Sequence, residues 1–217
     1  MSDAYYNFVW AIGTHAFWVS SRSTVLHRER LKRPGAYILA STHLSPFDVA
    51  VLIAKSPRKL DWVSIVEVFR KPFTGWFYGS MNAFPLDRSR PDSPTVRVIL
   101  DRLKRGRVVA MFPEGNIRTL ETSVLSGGHF KPGVARIAQL ADVPVIPCVV
   151  LGADAYKRVR SWLPIKRVRY GINIGEPLTV RKDLEKHAAT TEFGDRLRSA
   201  YLELHEELKA AMAKDRG

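Results

Sequence analysis

The sequence has a single cysteine, Cys148, among its 217 residues, so no disulfide can form within the chain. A lone cysteine fits a reducing compartment, where thiols stay free. Cys148 lies in the apolar run from 143 to 150, so we expect a buried, unreactive thiol. This makes a covalent cysteine intermediate an unfavoured mechanism.

Spacings that hold metal ions are also lacking. The six histidines are scattered, with no His-Glu-x-x-His segment and no pair of cysteines. We therefore expect no metal in the site. Internal repeats and low-complexity segments are missing too, and the length is compatible with one domain and a full core.

Acidic residues are few relative to basic ones. The chain has 34 Lys and Arg against 21 Asp and Glu, a formal charge of +13. Such a surface attracts nucleic acid, anionic lipid headgroups or phosphorylated substrates. No nucleic-acid-binding module accompanies this charge, so we expect no nucleic-acid partner.

Charged residues are missing between Asp3 and Arg22, a stretch rich in Tyr, Phe and Trp. It lacks the basic start and cleavage site of a signal peptide, and it is marginal for the ~20 apolar residues that span a membrane. We expect a helix lying in the membrane interface, followed by basic residues between Arg22 and Arg33 that bind anionic headgroups. The alternatives are a spanning helix and a helix packed on its own domain.

From Gly35 onward, strand-like and helix-like segments alternate, which predicts an α/β fold with a mixed, largely parallel sheet flanked by helices. Residues 1–24 are assigned to the membrane-associating helix, 25–180 to the catalytic domain and 181–217 to an amphipathic helix packed on that domain. Strands are expected at "AYILAST", "LDWVSI", "NAFPLD", "RVVAMF", "VPVIPCVV" and "RVRYGINIG", and an aromatic helix over 67–81.

The first of these strands ends at a histidine, His43, with Asp48 five residues later. Ser45 is expected as the N-cap of a helix, with Pro46 in its first position, so that the histidine precedes the helix and the aspartate lies in its first turn. There Asp48 can orient His43 as a general base. Alternatively, Ser45 and Asp48 form only a capping box.

Other expected strands also end at polar residues. Glu114 and Gly115 follow one strand, with Arg118 shortly after, and Arg88 follows another. Lys131 precedes a predicted helix start, a favourable place for anions. Because ligands bind at the carboxyl ends of strands in α/β sheets, these residues can share one crevice with His43. A plain turn and a surface ion pair are the alternatives.

In order, the motifs His-x-x-x-x-Asp, Asp-Arg, Phe-Pro-Glu-Gly, Phe-Lys-x-Gly and Val-Pro-Val-Ile-Pro resemble those of the PlsC-like lysophospholipid and glycerolphosphate acyltransferases, over roughly 35–177. The resemblance implies that His43 and Asp48 are the catalytic pair. It also implies acceptor-binding and acyl-binding sets. The former contains Arg88, Glu114, Gly115, Arg118 and Lys131, and the latter Val143, Pro144 and Pro147.

Two positions differ from the family pattern. Thr42 precedes the histidine where the family usually has Asn. Asn116 and Ile117 replace a single Thr, which moves Arg118 one place along the chain.

By this resemblance the function is acyl transfer from a thioester, acyl-CoA or acyl carrier protein, to a hydroxyl of a lysophospholipid, in the first place 1-acylglycerol-3-phosphate. No cofactor is implied, and backbone N–H groups around Gly115 are candidates to stabilise the oxyanion. The enzyme would be peripheral or monotopic, on the cytoplasmic face of the cell membrane. The alternatives are another acceptor, such as a glycolipid or ornithine lipid, and a non-catalytic binder of anionic membranes that uses the basic stretch 157–169.

Overall fold

A computed structural model describes residues 3–65, 83–86, 94–158, 161 and 167–215. In this part of the chain one sheet has seven strands in the order β1-β7-β6-β2-β5-β3-β4. The strands are β1 Ser21–Leu26, β2 Tyr37–Ser41, β3 Leu60–Ile65, β4 Phe84–Leu86, β5 Val108–Met111, β6 Val145–Leu151 and β7 Val168–Ile174. Strands β2 to β6 run parallel to one another, β7 is antiparallel to β6, and β1 is parallel to β7. The predicted α/β fold with a mixed, largely parallel sheet is confirmed.

Helices cover both faces of the sheet. They are α1 Asp3–Ser20, α2 Asp48–Lys55, α3 Pro94–Lys104, α4 Gly133–Ala141 and α5 Lys186–Lys214. Successive strand residues point to opposite faces. In β2, Tyr37 and Leu39 pack with α1 and α2, whereas Ile38 and Ala40 pack with the other three helices. β2 is therefore buried on both sides, as its continuous apolar sequence requires.

The strand β1 was not expected from the sequence. It pairs with β7, from Ser21 opposite Val168 to Leu26 opposite Asn173. The domain boundary placed after residue 24 therefore falls inside a strand of the sheet. Because β1 contains Ser, Arg and Thr and is only partly buried, it lacks the apolar pattern by which the other strands are recognised.

The helix α1 packs on the domain. The Trp10 indole N–H donates to the Ile53 carbonyl at 3.1 Å, and the buried Phe17 ring meets Tyr156 edge-on at 4.9 Å. Trp18, in contrast, is 67 % exposed. None of the described helices is long and apolar enough to cross a membrane. The expected contact of α1 with the membrane interface stays a prediction.

Two of the basic residues expected to bind headgroups contact the protein itself. Arg28 donates to the Lys55 carbonyl at 2.7 Å, and Arg30 pairs with Glu176 at 2.6 Å and donates to the Ile174 carbonyl. Their guanidinium groups hold the chain after β1 against the rest of the domain. The expected helix over 67–81 and much of the basic stretch 157–169 lie outside the described residues.

The carboxyl-terminal helix α5 lies across the second face of the sheet. Its buried residues recur every three or four positions and include Phe193, Leu197, Tyr201, Leu204 and Leu208. The hydroxyl of Tyr201, fully buried, donates to the Ala40 carbonyl of β2 at 3.1 Å. The strand that leads to His43 is thus covered and held by α5.

Candidate active site

The site lies where two neighbouring parallel strands end. β2 ends at Ser41 and leads to His43, and β5 ends at Met111 and leads to Phe112 and Glu114. Parallel neighbours end at the same edge of a sheet, which we call the carboxyl edge. β4 also ends at this edge, at Leu86. Arg88, two residues further, lies outside the described residues.

His43 and Asp48 form the expected pair. The ring nitrogen Nδ1 lies 3.1 Å from Asp48 Oδ2, and the backbone N–H groups of Leu44 and Ser45 donate to the same oxygen at 2.8 Å each. Burial raises the pKa of Asp48, which is 1 % exposed, and the bonds from His43 and the two backbone groups oppose this rise. With Nδ1 held by the carboxylate, the other nitrogen, Nε2, can take a proton.

The plane of the His43 ring is fixed by aromatic stacking. The ring lies on Phe112 with the centroids 3.7 Å apart and the planes 9° from parallel, and Phe112 stacks in turn on Trp62 at 5.2 Å. Neither stacking contact was expected from the sequence. Phe112 was singled out there only as the first residue of the Phe-Pro-Glu-Gly motif, directly after a buried strand.

The expected role of Ser45 as helix N-cap is wrong. The helix α2 begins at Asp48, and Phe47 is its N-cap. The Ser45 hydroxyl instead accepts from the Phe47 N–H at 3.1 Å, within a turn closed by Asp48 N–H donating to the Ser45 carbonyl at 3.2 Å. One of the two hydrogen bonds of the predicted capping box forms: the Asp48 carboxylate accepts from the Ser45 N–H. The other does not form, because the Ser45 hydroxyl accepts from the N–H of Phe47 and not from that of Asp48.

Glu114 does not present its carboxylate to solvent. It is 3 % exposed, and Oε1 accepts from the backbone N–H of Val124 at 3.0 Å. Burial raises the pKa of Glu114, and the Val124 N–H and the charges of His43 and Arg118 oppose this rise. The role expected from the resemblance, direct acceptor binding, has no support in this geometry.

Gly115 has φ +77°, the left-handed region in which a side chain would be strained. Its N–H donates to the Phe112 carbonyl at 2.9 Å, so this N–H is not aimed at an oxyanion as we expected. Lys131 lies over the glycine, since a Cβ at Gly115 would be 3.4 Å from its Cε and 3.7 Å from its Nζ. The structure thus brings the exposed Lys131 amine to the Glu114–Gly115 turn.

Arg118 lies beside the histidine despite its shifted place in the sequence. Its N–H donates to the His43 carbonyl at 2.8 Å. Its Nε is buried and makes no hydrogen bond with the residues that the structure describes. The guanidinium therefore keeps hydrogen-bonding capacity next to the catalytic pair.

The residues expected at the acyl-binding side do not all reach this edge. The Pro144 carbonyl accepts from the Ile38 N–H at 3.0 Å, near the start of β2, whereas Pro147 pairs with Ala40, one residue before the end of β2. At about 3.3 Å per strand residue, Pro144 and its neighbour Val143 lie roughly 15 Å from the end of β2 that leads to His43. They belong to the opposite edge, because the strand they precede runs parallel to β2.

Cys148 is fully buried in β6, and burial raises the pKa of its thiol to about 12, as expected for an unreactive core cysteine. Within the described ranges, no three His, Cys, Asp or Glu side chains lie close enough together to hold a metal ion. The expectation of a metal-free site stays a prediction.

A family model described as Acyltransferase matches residues 22–151, well over half of the chain. The chain belongs to this acyltransferase family. The model spans β1 to β6 and therefore includes the two strand ends that carry His43, Asp48 and Glu114. The resemblance found in the sequence motifs is thereby confirmed.

Two curated bacterial relatives are 1-acyl-sn-glycerol-3-phosphate acyltransferases. The one from Bacillus subtilis is 30 % identical over 155 residues, which cover 71 % of this chain and 72 % of the relative. The one from Streptococcus pneumoniae is 27 % identical over 177 residues, 80 % of this chain and 62 % of the relative. In fold, the acyltransferase is similar to the solved structure of the 1-acyl-sn-glycerophosphate (LPA) acyltransferase PlsC from Thermotoga maritima, with a TM-score of 0.69 and 19 % identity over 92 % of this chain and 79 % of that chain.

Proposed function

We propose that this acyltransferase transfers a fatty acyl group from a thioester to the free hydroxyl of 1-acyl-sn-glycerol-3-phosphate, giving phosphatidic acid. The observation that carries the proposal is the contact of His43 with the buried Asp48, 3.1 Å apart, at the carboxyl edge of the sheet. The names of the bacterial relatives support the acceptor. A non-catalytic membrane binder would have no use for an oriented histidine of this kind.

In the mechanism we propose, Nε2 of His43 accepts the hydroxyl proton of the acceptor as its oxygen attacks the thioester carbonyl. The negative charge of Asp48 stabilises the imidazolium ion that forms. The tetrahedral intermediate then collapses, the carbon–sulfur bond breaks, and the leaving thiolate takes the proton from Nε2. The products are the new ester and a free thiol, and His43 returns to its neutral form.

The acceptor phosphate is assigned to Lys131 and Arg118, with Arg88 as a further candidate outside the described residues. Lys131 offers a flexible point charge over the Gly115 turn, and Arg118 offers a guanidinium whose Nε lacks a described partner. The donor is a thioester of coenzyme A or of acyl carrier protein. No resident cofactor enters this chemistry.

The location that fits such substrates is the cytoplasmic face of the cell membrane, with the enzyme peripheral or monotopic. The indole of Trp18 on α1 is 67 % exposed, and tryptophan favours the headgroup region. The net charge of +13 adds attraction to anionic lipid. Both features support contact with the cytoplasmic leaflet, where the acceptor is a component of the bilayer.

The test is a panel of acceptors with one labelled acyl group, supplied in turn on coenzyme A and on acyl carrier protein. Labelled phosphatidic acid should form with the wild type and be lost in His43→Ala. Transfer to a glycolipid, an ornithine lipid or another lysophospholipid in preference to 1-acylglycerol-3-phosphate would overturn the acceptor assignment. Binding of anionic vesicles without any transfer would overturn the enzyme assignment.

A further inference from the structure

The loop that follows β5 holds the catalytic histidine by its ring and by its backbone. The ring of His43 stacks on Phe112, with 3.7 Å between the centroids, and the His43 carbonyl accepts from the Arg118 N–H at 2.8 Å. Both contacts come from residues 112–118, far from His43 in sequence. The position of the base therefore depends on how firmly this loop is fixed.

Glu114 lies in the middle of the loop and is buried, with 3 % of its surface exposed. Oε1 accepts from the Val124 N–H at 3.0 Å, ten residues along the chain. The backbone N–H of His43, like that of Val124, lowers the pKa of this carboxyl group against the effect of burial. Oε2 makes no hydrogen bond with the described residues.

We propose that Glu114 is a positioning residue for His43 and not a ligand of the acceptor. Its carboxylate accepts from the Val124 N–H and so fixes the loop whose Phe112 ring and Arg118 N–H contact His43. The His43 N–H, which follows β2, favours the charged form of the same carboxylate. A bound acceptor would have to displace these internal partners to reach it. The inference rests on the proposed function, because it takes His43 as the base.

The two roles differ in which kinetic constant they control. A histidine misplaced by about 1 Å loses roughly 100-fold in rate, whereas an acceptor that is still held by other groups binds as before. A positioning role for Glu114 therefore predicts a lower kcat with little change in the acceptor KM. A ligand role predicts a higher acceptor KM with kcat largely kept.

The experiment compares Glu114→Gln with Glu121→Gln, an exposed glutamate on the same loop. Glutamine keeps the shape but replaces one acceptor oxygen by an NH₂ group, which cannot accept from an N–H. For Glu114→Gln we expect kcat about 100-fold lower and an acceptor KM within about two-fold of wild type. Glu121→Gln should match the wild type in both constants.

A second measurement does not depend on activity. Amide hydrogen exchange, followed by NMR, should be faster at His43, at Val124 or at both in Glu114→Gln, and unchanged in Glu121→Gln. An inactive wild type would remove the proposed function, yet these amides would still report whether Glu114 holds them. Unchanged exchange at both amides, or a raised acceptor KM with normal kcat, would overturn the positioning role.

A second variant tests the same link from its other end. Val124→Pro removes the N–H that Glu114 accepts, at the first residue of the 3₁₀ turn 124–126, a place that tolerates proline. The preceding Ser123 is already extended, with φ −79° and ψ 169°, as a residue before proline must be. We expect a lower kcat with the acceptor KM kept. If Glu114→Gln does not fold, a folded Val124→Pro with normal kcat would overturn the proposal.

Discussion

The two edges of the sheet both bury carboxylates, but they neutralise them differently. At the amino edge, where β3 and β5 begin, Asp61 is fully buried between two arginines. Its Oδ1 lies 2.6 Å from Arg107 Nη2, and its Oδ2 lies 3.1 Å from Arg102 Nη1. At the carboxyl edge, Asp48 meets a histidine and two backbone N–H groups, all through Oδ2.

The two sets of charges differ in role: those at the amino edge stabilise the fold, and those at the carboxyl edge are available for catalysis. A guanidinium stays protonated at every accessible pH, so the pairs of Asp61 are permanent. A third arginine at the amino edge, Arg58, donates to the carbonyls of Arg33, Gly35 and Gly106. The partner of Asp48 is an imidazole, whose second ring nitrogen can accept and return a proton. Of these two sets of charges, the one at the carboxyl edge can therefore exchange a proton with a substrate.

The largest effect should come from breaking the pair at the carboxyl edge. His43→Ala removes the base and should lower kcat/KM by about 10³–10⁴-fold, with Asp48→Asn lower by at least ~100-fold. Steady-state kinetics with a labelled thioester checks both. Ser45→Ala is the control, because it loses only a turn hydrogen bond worth about 1 kcal/mol and should keep most of the activity.

Two outcomes would contradict this assignment. Near-normal turnover in Asp48→Asn would reduce Asp48 to a residue that only stabilises the helix start. A folded Ser45→Ala without activity would favour a covalent acyl-enzyme on Ser45.

Breaking the amino edge should lower stability and leave chemistry intact. Asp61→Ala removes the buried carboxylate that neutralises the partly buried guanidinium groups of Arg102 and Arg107, so the free energy of unfolding should fall by about 3–5 kcal/mol. Urea denaturation measures this loss, and kcat per folded molecule should stay at the wild-type value. Asp101→Ala, which breaks an exposed pair with Arg105, should change stability by less than about 1 kcal/mol. A kcat that falls with Asp61→Ala would show that the two edges are coupled.

A smaller effect is expected at the rim of the site. Lys131→Ala removes one charged contact to the acceptor phosphate, so the acceptor KM should rise about 10-fold, corresponding to ~1.5 kcal/mol, while the donor KM stays unchanged. Lys104→Ala, exposed at the end of α3, is the matched control. A rise in the donor KM instead would place Lys131 on the thioester side.

The smallest effect concerns how stability depends on pH. Burial raises the pKa of Glu114 above the unfolded value of about 4.3. As the pH rises above ~4.3, the unfolded chain loses this proton first, so the carboxyl group lowers stability progressively until the folded protein ionises too. Glu114→Gln should lack this decrease, and its stability relative to wild type should grow between pH 4 and 7. Denaturation at several pH values, with Glu121→Gln alongside, measures the trend, and a flat difference would contradict it.

The sequence predicted those parts of the site that depend on local geometry. The contact between His43 and Asp48 was expected because the histidine precedes a helix that has the aspartate in its first turn, and this part of the expectation holds although the helix begins later than predicted. The order of apolar strands and their polar ends also placed His43 and Glu114 at one edge.

Contacts between distant segments were not predictable from the pattern. Nothing in the sequence indicates that the Arg118 N–H binds the His43 carbonyl, or that Glu114 turns inward to Val124. The acyl-side residues were assigned by resemblance, and the register of β6 against β2 puts Val143 and Pro144 at the amino edge, away from His43. Their role in acyl binding stays a prediction. The strand β1 was missed because its polar residues pair only with a strand from the end of the domain.

That pairing has a consequence for synthesis of the protein on the ribosome. The partner of β1 in the sheet, β7, is translated about 150 residues later. At roughly 10 residues per second, β7 is synthesised on the order of 15 s after β1. Pairing over such a distance in sequence is also slow to form once both strands exist. β1, one of the two edge strands of the sheet, is thus made well before its partner and is among the last strands to pair.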